Sequence, residues 1–142
     1  MIPMDPIVVL VIALAARAYD VDAALIAAVG MRESNWNLLA LGDYDEEQLP
    51  HSFGPLQVND KGAGAGYPQN LLQDWGFNIM RGTEYLKACL DMYPNNLKLA
   101  LAAYRQGMGG AALHGYEPSE AYINDILRYY GEFSAQFGQK QH

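Results

Sequence analysis

Apolar residues recur at helical spacing along most of this chain, and the pattern is broken once, by residues 35 to 73, a polar stretch rich in Gly, Asp, Asn and Pro. That interruption constrains the fold most. A loop of this length is unusual in a compact domain and commonly carries function. The segments around it read as helices. Residues 22 to 34 place Leu25, Ile26 and Val29 at helical offsets behind a good N-cap, Asp22. Residues 74 to 93 do the same with Phe77, Ile79, Met80, Tyr85, Leu86 and Leu90. The alanine-rich "NLKLALAAYRQG" stops at Gly107. The closing "PSEAYINDILRYYGEFSAQF" turns Tyr122, Ile126, Tyr129 or Tyr130, and Phe133 inward. Between these last two helices "GMGGAALHG" reads as a flexible connection, and "HSFGPLQVN" has β-like or turn character. No repeat or linker divides the chain, so residues 1–142 form a single domain, mainly α with a small irregular or β element in the long loop.

The N-terminal run "PIVVLVIALAARAY" is too short to span a bilayer, and it lacks the basic flank and cleavage site of a signal peptide. It reads as a buried first helix starting near Asp5-Pro6. With no membrane insertion and no export signal in view, the expectation is a cytoplasmic protein, a phage product released by other means, or a chain trimmed of its leader. Cys89 is the single cysteine, so no intrachain disulfide forms, and its helical neighbours mark it as a core thiol.

Sixteen acidic against nine basic residues give a net charge of -7. With no basic run, zinc spacing or phosphate loop, the chain has no nucleic-acid footprint. No metal or cofactor is implied. A neutral or weakly charged partner is the easier fit for an acidic surface, and the chain is expected to act as a monomer.

One residue does not fit its helix. Glu33 follows Val29 by four positions and Leu25 by eight, which places a carboxylate on the face that should be buried. Either the helix has ended, or Glu33 pairs with an arginine, or a partly apolar wall keeps a catalytic acid protonated near neutral pH.

Five stretches, in order, resemble the motifs of the soluble lytic transglycosylase and goose-type lysozyme superfamily, glycoside hydrolase family 23. "ALIAAVGMRESNWN" is similar to its glutamate-serine motif and "FGPLQVN" to its Gly-Leu-Met-Gln segment. "NIMRGTEYLKACLDMY" resembles the helix with Asn-Ile, Gly and Tyr-Leu, "LALAAYRQG" the Ala-Leu-Ala-Ala-Tyr-Asn-Ala-Gly motif, and "EAYINDIL" the final tyrosine motif. The resemblance implies a lysozyme-like fold that cleaves β-1,4 bonds between N-acetylated hexosamines in a cell-wall or other extracellular polysaccharide. Peptidoglycan is the first expectation and chitin the second; a silent glycan-binding or phage structural module is the alternative from another class.

It also implies roles. Glu33 would protonate the glycosidic oxygen, with Ser34 contacting the sugar beside it. Gln57 would face the cleft from the opposite loop, Tyr104 would orient the Glu33 carboxyl or the substrate, and Tyr122 would line the groove or simply pack in the core. Gly54 and Gly107 would shape the backbone, or serve only as turns. Inverting glycosidases need a second carboxyl about 6.5–9.5 Å away, whereas lytic transglycosylases let the substrate's own N-acetyl or 6-hydroxyl group complete the reaction. In "LGDYDEEQLPHSFG", Gly42-Asp43 resembles the Gly-Asp with which goose-type enzymes position water, Asp45 is the reserve, and the whole acidic run also fits a solvated loop. Asn59 stands where those enzymes carry an aspartate. Two departures bear on specificity and backbone. Pro55 removes an N–H and fixes φ, and Arg105-Gln106 replaces Asn-Ala, which favours an anionic substituent such as a lactyl carboxylate.

Overall fold

The computed structural model describes residues 1 to 138. Four helices begin on a side-chain cap. Asp5 accepts the Ile7 amide ahead of α1 (Pro6–Tyr19), and Asp22 accepts the Ala24 amide ahead of α2 (Ala23–Ser34). Asp74 and Asn96 do the same for α4 (Trp75–Met92) and α5 (Leu97–Gln106). Each such cap contributes about 1 kcal/mol. The remaining helices are α3 (Gln69–Leu72), α6 (Met108–His114) and α7 (Glu120–Phe137), the last preceded by a 3₁₀ turn at Glu117–Ser119.

Helix α2 is the centre of the domain. Every residue from Ala24 to Gly30 is buried, and the helix packs most extensively on α7 and also on α1. A helix buried all round must be small-sided to be enclosed, which accounts for its alanines. The larger side chains of the same core come from the other helices: Ile123, Ile126 and Phe133 from α7, Leu101 from α5, Ile79 and Leu86 from α4. Cys89 lies in this core, and burial pushes its thiol up to about 11.

Two sequence expectations are corrected. Helix α1 is not buried throughout: Val8, Ile12 and Ala15 face the core, whereas Ile7, Leu10 and Leu14 are 62%, 58% and 55% exposed. It packs on α4 and α2 from one side only, so its second apolar stripe has no partner layer among the described residues. The "GMGGAALHG" segment is not a flexible connection but contains α6. Gly107 (φ 82°) breaks the chain away from α5, and buried Ala111 then anchors a new turn of helix against it.

Within the long polar stretch, three two-residue strands form an antiparallel sheet in the order β1 (Leu41–Gly42), β2 (Ser52–Phe53), β3 (Val58–Asn59). Leu41 pairs with Phe53 and Gly42 with Ser52; Ser52 pairs with Asn59 and Phe53 with Val58. So small a sheet is stable only when docked. Asn78 of α4 does the docking. Fully buried, it accepts the Leu56 amide at 2.9 Å and donates to the carbonyls of Phe53 at 2.6 Å and Leu72 at 2.9 Å. Gly54 (φ 75°) lies directly over its amide, where a Cβ would collide. Among the described residues, no helix is long and apolar enough to cross a membrane.

Candidate active site

A cleft of about 720 Å³ separates the helices from the sheet. Glu33, Tyr104 and Arg105 line one side, and Asp43, Gln57 and Asn59 line the other. The periodicity that placed Glu33 on the inner face of α2 is realised: Val29 and Leu25 below it are buried, and Glu33 emerges one turn higher at the cleft floor.

Burial raises the Glu33 pKa to about 7, against opposing influences. The Tyr122 hydroxyl donates to Glu33 Oε2 at 2.5 Å, and the positive charges of Arg105 and Arg32 also favour the ionised form, but desolvation wins; the charge of Asp43 adds a small push upward. A carboxyl poised near 7 can hold a proton at neutral pH and also give it away. Glu33 does not ion-pair with its neighbour Arg32, which reaches instead to Asp125 at 3.0 Å. Tyr122 is buried, its hydroxyl pKa is pushed well above 10 by that burial, and it therefore remains a donor. The guanidinium groups of Arg32 and Arg105 lie 5.2 and 4.8 Å from its ring centroid.

Of the two tyrosines, Tyr122 holds the acid and Tyr104 does not. The Tyr104 hydroxyl donates to the Leu56 carbonyl at 2.7 Å, tying α5 to the turn between β2 and β3, while its ring lines the cleft. The Ser34 hydroxyl is engaged with the Pro55 carbonyl at 2.8 Å and the Gly30 carbonyl at 3.2 Å, so it joins α2 to the same turn. Gln106 lines the cleft, yet its amide donates to Ser119 Oγ at 2.9 Å and to the Gly115 carbonyl at 3.2 Å.

On the sheet side, Asp43 Oδ2 accepts from Ser52 Oγ and from Asn59 Nδ2 at 3.4 Å, and Asn59 also donates to Ser52 Oγ at 3.1 Å. Both bonds land on one oxygen, leaving Oδ1 without a protein donor among the described residues. Gln57, at φ 49°, donates to the Gly54 carbonyl at 3.0 Å, and its Oε1 lies where a Cβ on Gly42 would sit, so a side chain there would displace the Gln57 amide. Asp45 lies outside the cleft. Its Oδ1 accepts the amides of Glu47 and Leu49, and its Oδ2 meets His51 Nε2 at 2.7 Å. His51 Nδ1 faces Asp60 at 3.0 Å, and the pair of carboxylates, Asp45 foremost, raises the histidine pKa.

Residues 11–124 match the family described as "Transglycosylase SLT domain". The chain belongs to this family. As an SLT domain it belongs to a family of glycan-cleaving enzymes, and its mainly helical fold with one small sheet is the lysozyme-like architecture the motifs implied. It is also 35% identical over 101 residues to the membrane-bound lytic murein transglycosylase F of Cellvibrio japonicus (strain Ueda107). That match covers 67% of this chain and 19% of the relative, so the SLT domain corresponds to a minor part of a longer protein.

Several groups of this SLT site were not singled out from the sequence. Ser52, His51 and Asp60 are polar residues in a polar stretch, with no periodicity to separate a structural hydrogen bond from a solvated surface. Asn78 carried a signal, as an amide among the apolar positions of α4, and its place in the helix motif supports the same reading.

Proposed function

We propose that this domain cleaves β-1,4 bonds between N-acetylated hexosamines in peptidoglycan, with Glu33 as the general acid. The observation that carries the reading is a carboxyl with a pKa of about 7 on the floor of an open cleft. The glycosidic oxygen takes the Glu33 proton as its bond to the anomeric carbon breaks. The sugar's 6-hydroxyl then closes on that carbon and returns a proton to the Glu33 carboxylate, leaving a 1,6-anhydro end. The name of the Cellvibrio relative, a lytic murein transglycosylase, supports this route and this substrate. A silent binding module is disfavoured, because a desolvated acid is costly to keep without a use.

Asp43 supports a second route. With Ser52 and Asn59 on one oxygen and the other unengaged by protein, it is able to hold a water against the anomeric carbon, giving hydrolysis with inversion. Gln57, Asn59, Tyr104 and Arg105 are the substrate-facing residues in either case; Ser34, Gln106 and Tyr122 act through the groups they hold. Turbidity loss of purified cell walls, with mass spectrometry of the fragments, tests the reading. Anhydro products 18 Da lighter than their hydrolysed counterparts mark the first route, reducing ends the second, and intact walls refute both.

A further inference from the structure

The cleft is charged in the opposite sense to the molecule. The chain carries -7, yet the cleft lining holds Arg32, Lys61 and Arg105 against two acidic side chains, Glu33 and Asp43. The three cations differ in what they already hold. Arg32 is ion-paired with Asp125. Arg105, in the last turn of α5, and Lys61, just beyond β3, are exposed and have no carboxylate within ion-pair distance among the described residues.

Arg105 is nevertheless placed. Its guanidinium stands 4.8 Å from the Tyr122 ring centroid, on the tyrosine that holds Glu33. A ring contact gives the guanidinium no oxygen acceptor, so its fork of N–H donors stays available to a ligand. The adjacent Gln106 has its amide N–H donors committed to Gly115 and Ser119, so of this pair only the arginine offers donors to a ligand. A planar fork of donors, anchored on an aromatic ring and lacking an internal carboxylate, is suited to bidentate recognition of one.

We infer that Arg105 is a specificity-determining residue that binds a carboxylate carried by the glycan next to the scissile bond, with Lys61 on the sheet side as a second, weaker point of attraction. The ligand class is an aminosugar polymer bearing lactyl or peptide carboxylates, discriminated from an uncharged N-acetylhexosamine polymer such as chitin. The inference rests on the function proposed above and names what selects its substrate.

Calorimetry on the Glu33→Gln chain tests it with three probes: a muramyl-containing tetrasaccharide peptide, the same molecule with its carboxylates amidated, and chitotetraose. The free-carboxylate probe should bind about tenfold more tightly than either uncharged one. Adding Arg105→Gln should bring all three within about twofold, whereas Arg105→Lys should keep part of the preference, because a lysine retains the charge but not the fork. Raising the salt concentration should shrink the preference of the unsubstituted arginine chain. No initial preference, or one that survives Arg105→Gln or high salt unchanged, overturns the inference. Turnover by the wild-type arginine and glutamate chain separates the two readings. Equal kcat/KM on all probes, lowered by one common factor in Arg105→Gln, refutes the selectivity and leaves Glu33 as the acid. An Arg105-dependent binding preference in a chain that cleaves nothing keeps the selectivity and refutes the proposed reaction.

Discussion

The side of the cleft that carries Glu33 is made of packed helices, and the side that carries Asp43 is made of two-residue strands held by side-chain hydrogen bonds. Glu33 rises from the most buried helix of the domain and meets one donor, Tyr122. Asp43 sits at φ 52° beside β1, among Ser52 and Asn59, with Asp45, His51 and Asp60 bracing the loop behind it. The contrast is chemical as well as architectural. Keeping a proton on a carboxyl at neutral pH requires removing water, which only close packing does. Presenting a carboxyl to water or a sugar hydroxyl requires orienting it while leaving one oxygen accessible, which a short strand with polar neighbours does.

Removing the transferable proton should have the largest effect. Glu33→Gln keeps the acceptor for Tyr122, so the fold and glycan binding should persist while turnover falls by about 10²–10⁴-fold. A variant with a tenth of wild-type turnover would overturn the assignment. The same substitution also reads out the packing. A carboxyl whose folded pKa of about 7 exceeds its ordinary 4.5 binds more protons folded than unfolded between those values, so it costs stability as pH rises through that window. Denaturant melts at pH 8 should therefore find Glu33→Gln more stable than wild type, by ~1–2 kcal/mol after allowance for its access to the cleft.

Asp43→Asn distinguishes the two sides next. If Asp43 holds the attacking water, release of reducing ends should fall about a hundredfold with little change in ligand affinity, and NMR of fresh wild-type product should show the α-anomer first. Unchanged release of 1,6-anhydro ends would assign the reaction to Glu33 and the sugar alone. A smaller effect lies in the pH profile. Turnover should decline above about pH 7 as Glu33 loses its proton, and Tyr122→Phe should move that limb to higher pH, because the lost hydrogen bond favoured the ionised form. A limb moving downward would mean that Tyr122 does not act on the acid as a donor.

The smallest effect belongs to the brace behind Asp43. His51 has its pKa raised above 6.5, so its contribution is complete below 6.5 and is lost as pH rises through the folded value. Asp45 is lowered below 3.8, so its contribution is present above 3.8 and is lost as pH falls through its folded value. Hydrogen-exchange protection factors, which are corrected for the intrinsic pH dependence, should be highest at the β1 and β2 amides between these limits and should fall on the alkaline side, with no comparable change in α2. Equal pH dependence in the two elements would mean that the sheet does not open independently of the helices.

Legibility followed the same division. The helices around Glu33 could be read because burial imposes a period, and capping residues mark where each period starts. The run from Leu25 through Val29 to Glu33 points the carboxylate to the inner face, provided the helix continues that far. The polar stretch had no such period. Its β-like character at "HSFGPLQVN" was visible, but the pairing with Leu41–Gly42 and the commitments of Ser52, His51 and Asp60 were not. The exposed stripe of α1 has a related cause: an apolar pattern says which residues can be buried, not how many partner layers will cover them.

By itself the sequence determined the long helices, though not α3 or α6, together with the lone buried thiol, the order of the motifs and the face from which Glu33 emerges, all properties of residues within a few turns of one another. Only the tertiary structure decided which group each side chain meets. Tyr122 reaches Glu33 across 89 residues, and Tyr104 reaches the Leu56 carbonyl across 48. Ser34 and Gln106 turn to backbone and hydroxyl partners, and Asp45 turns away from the cleft to His51. Helical periodicity encodes the direction in which a side chain leaves its own element, whereas the partner it finds depends on how distant elements dock, and so does the loss of water that lifts Glu33 to a pKa of about 7.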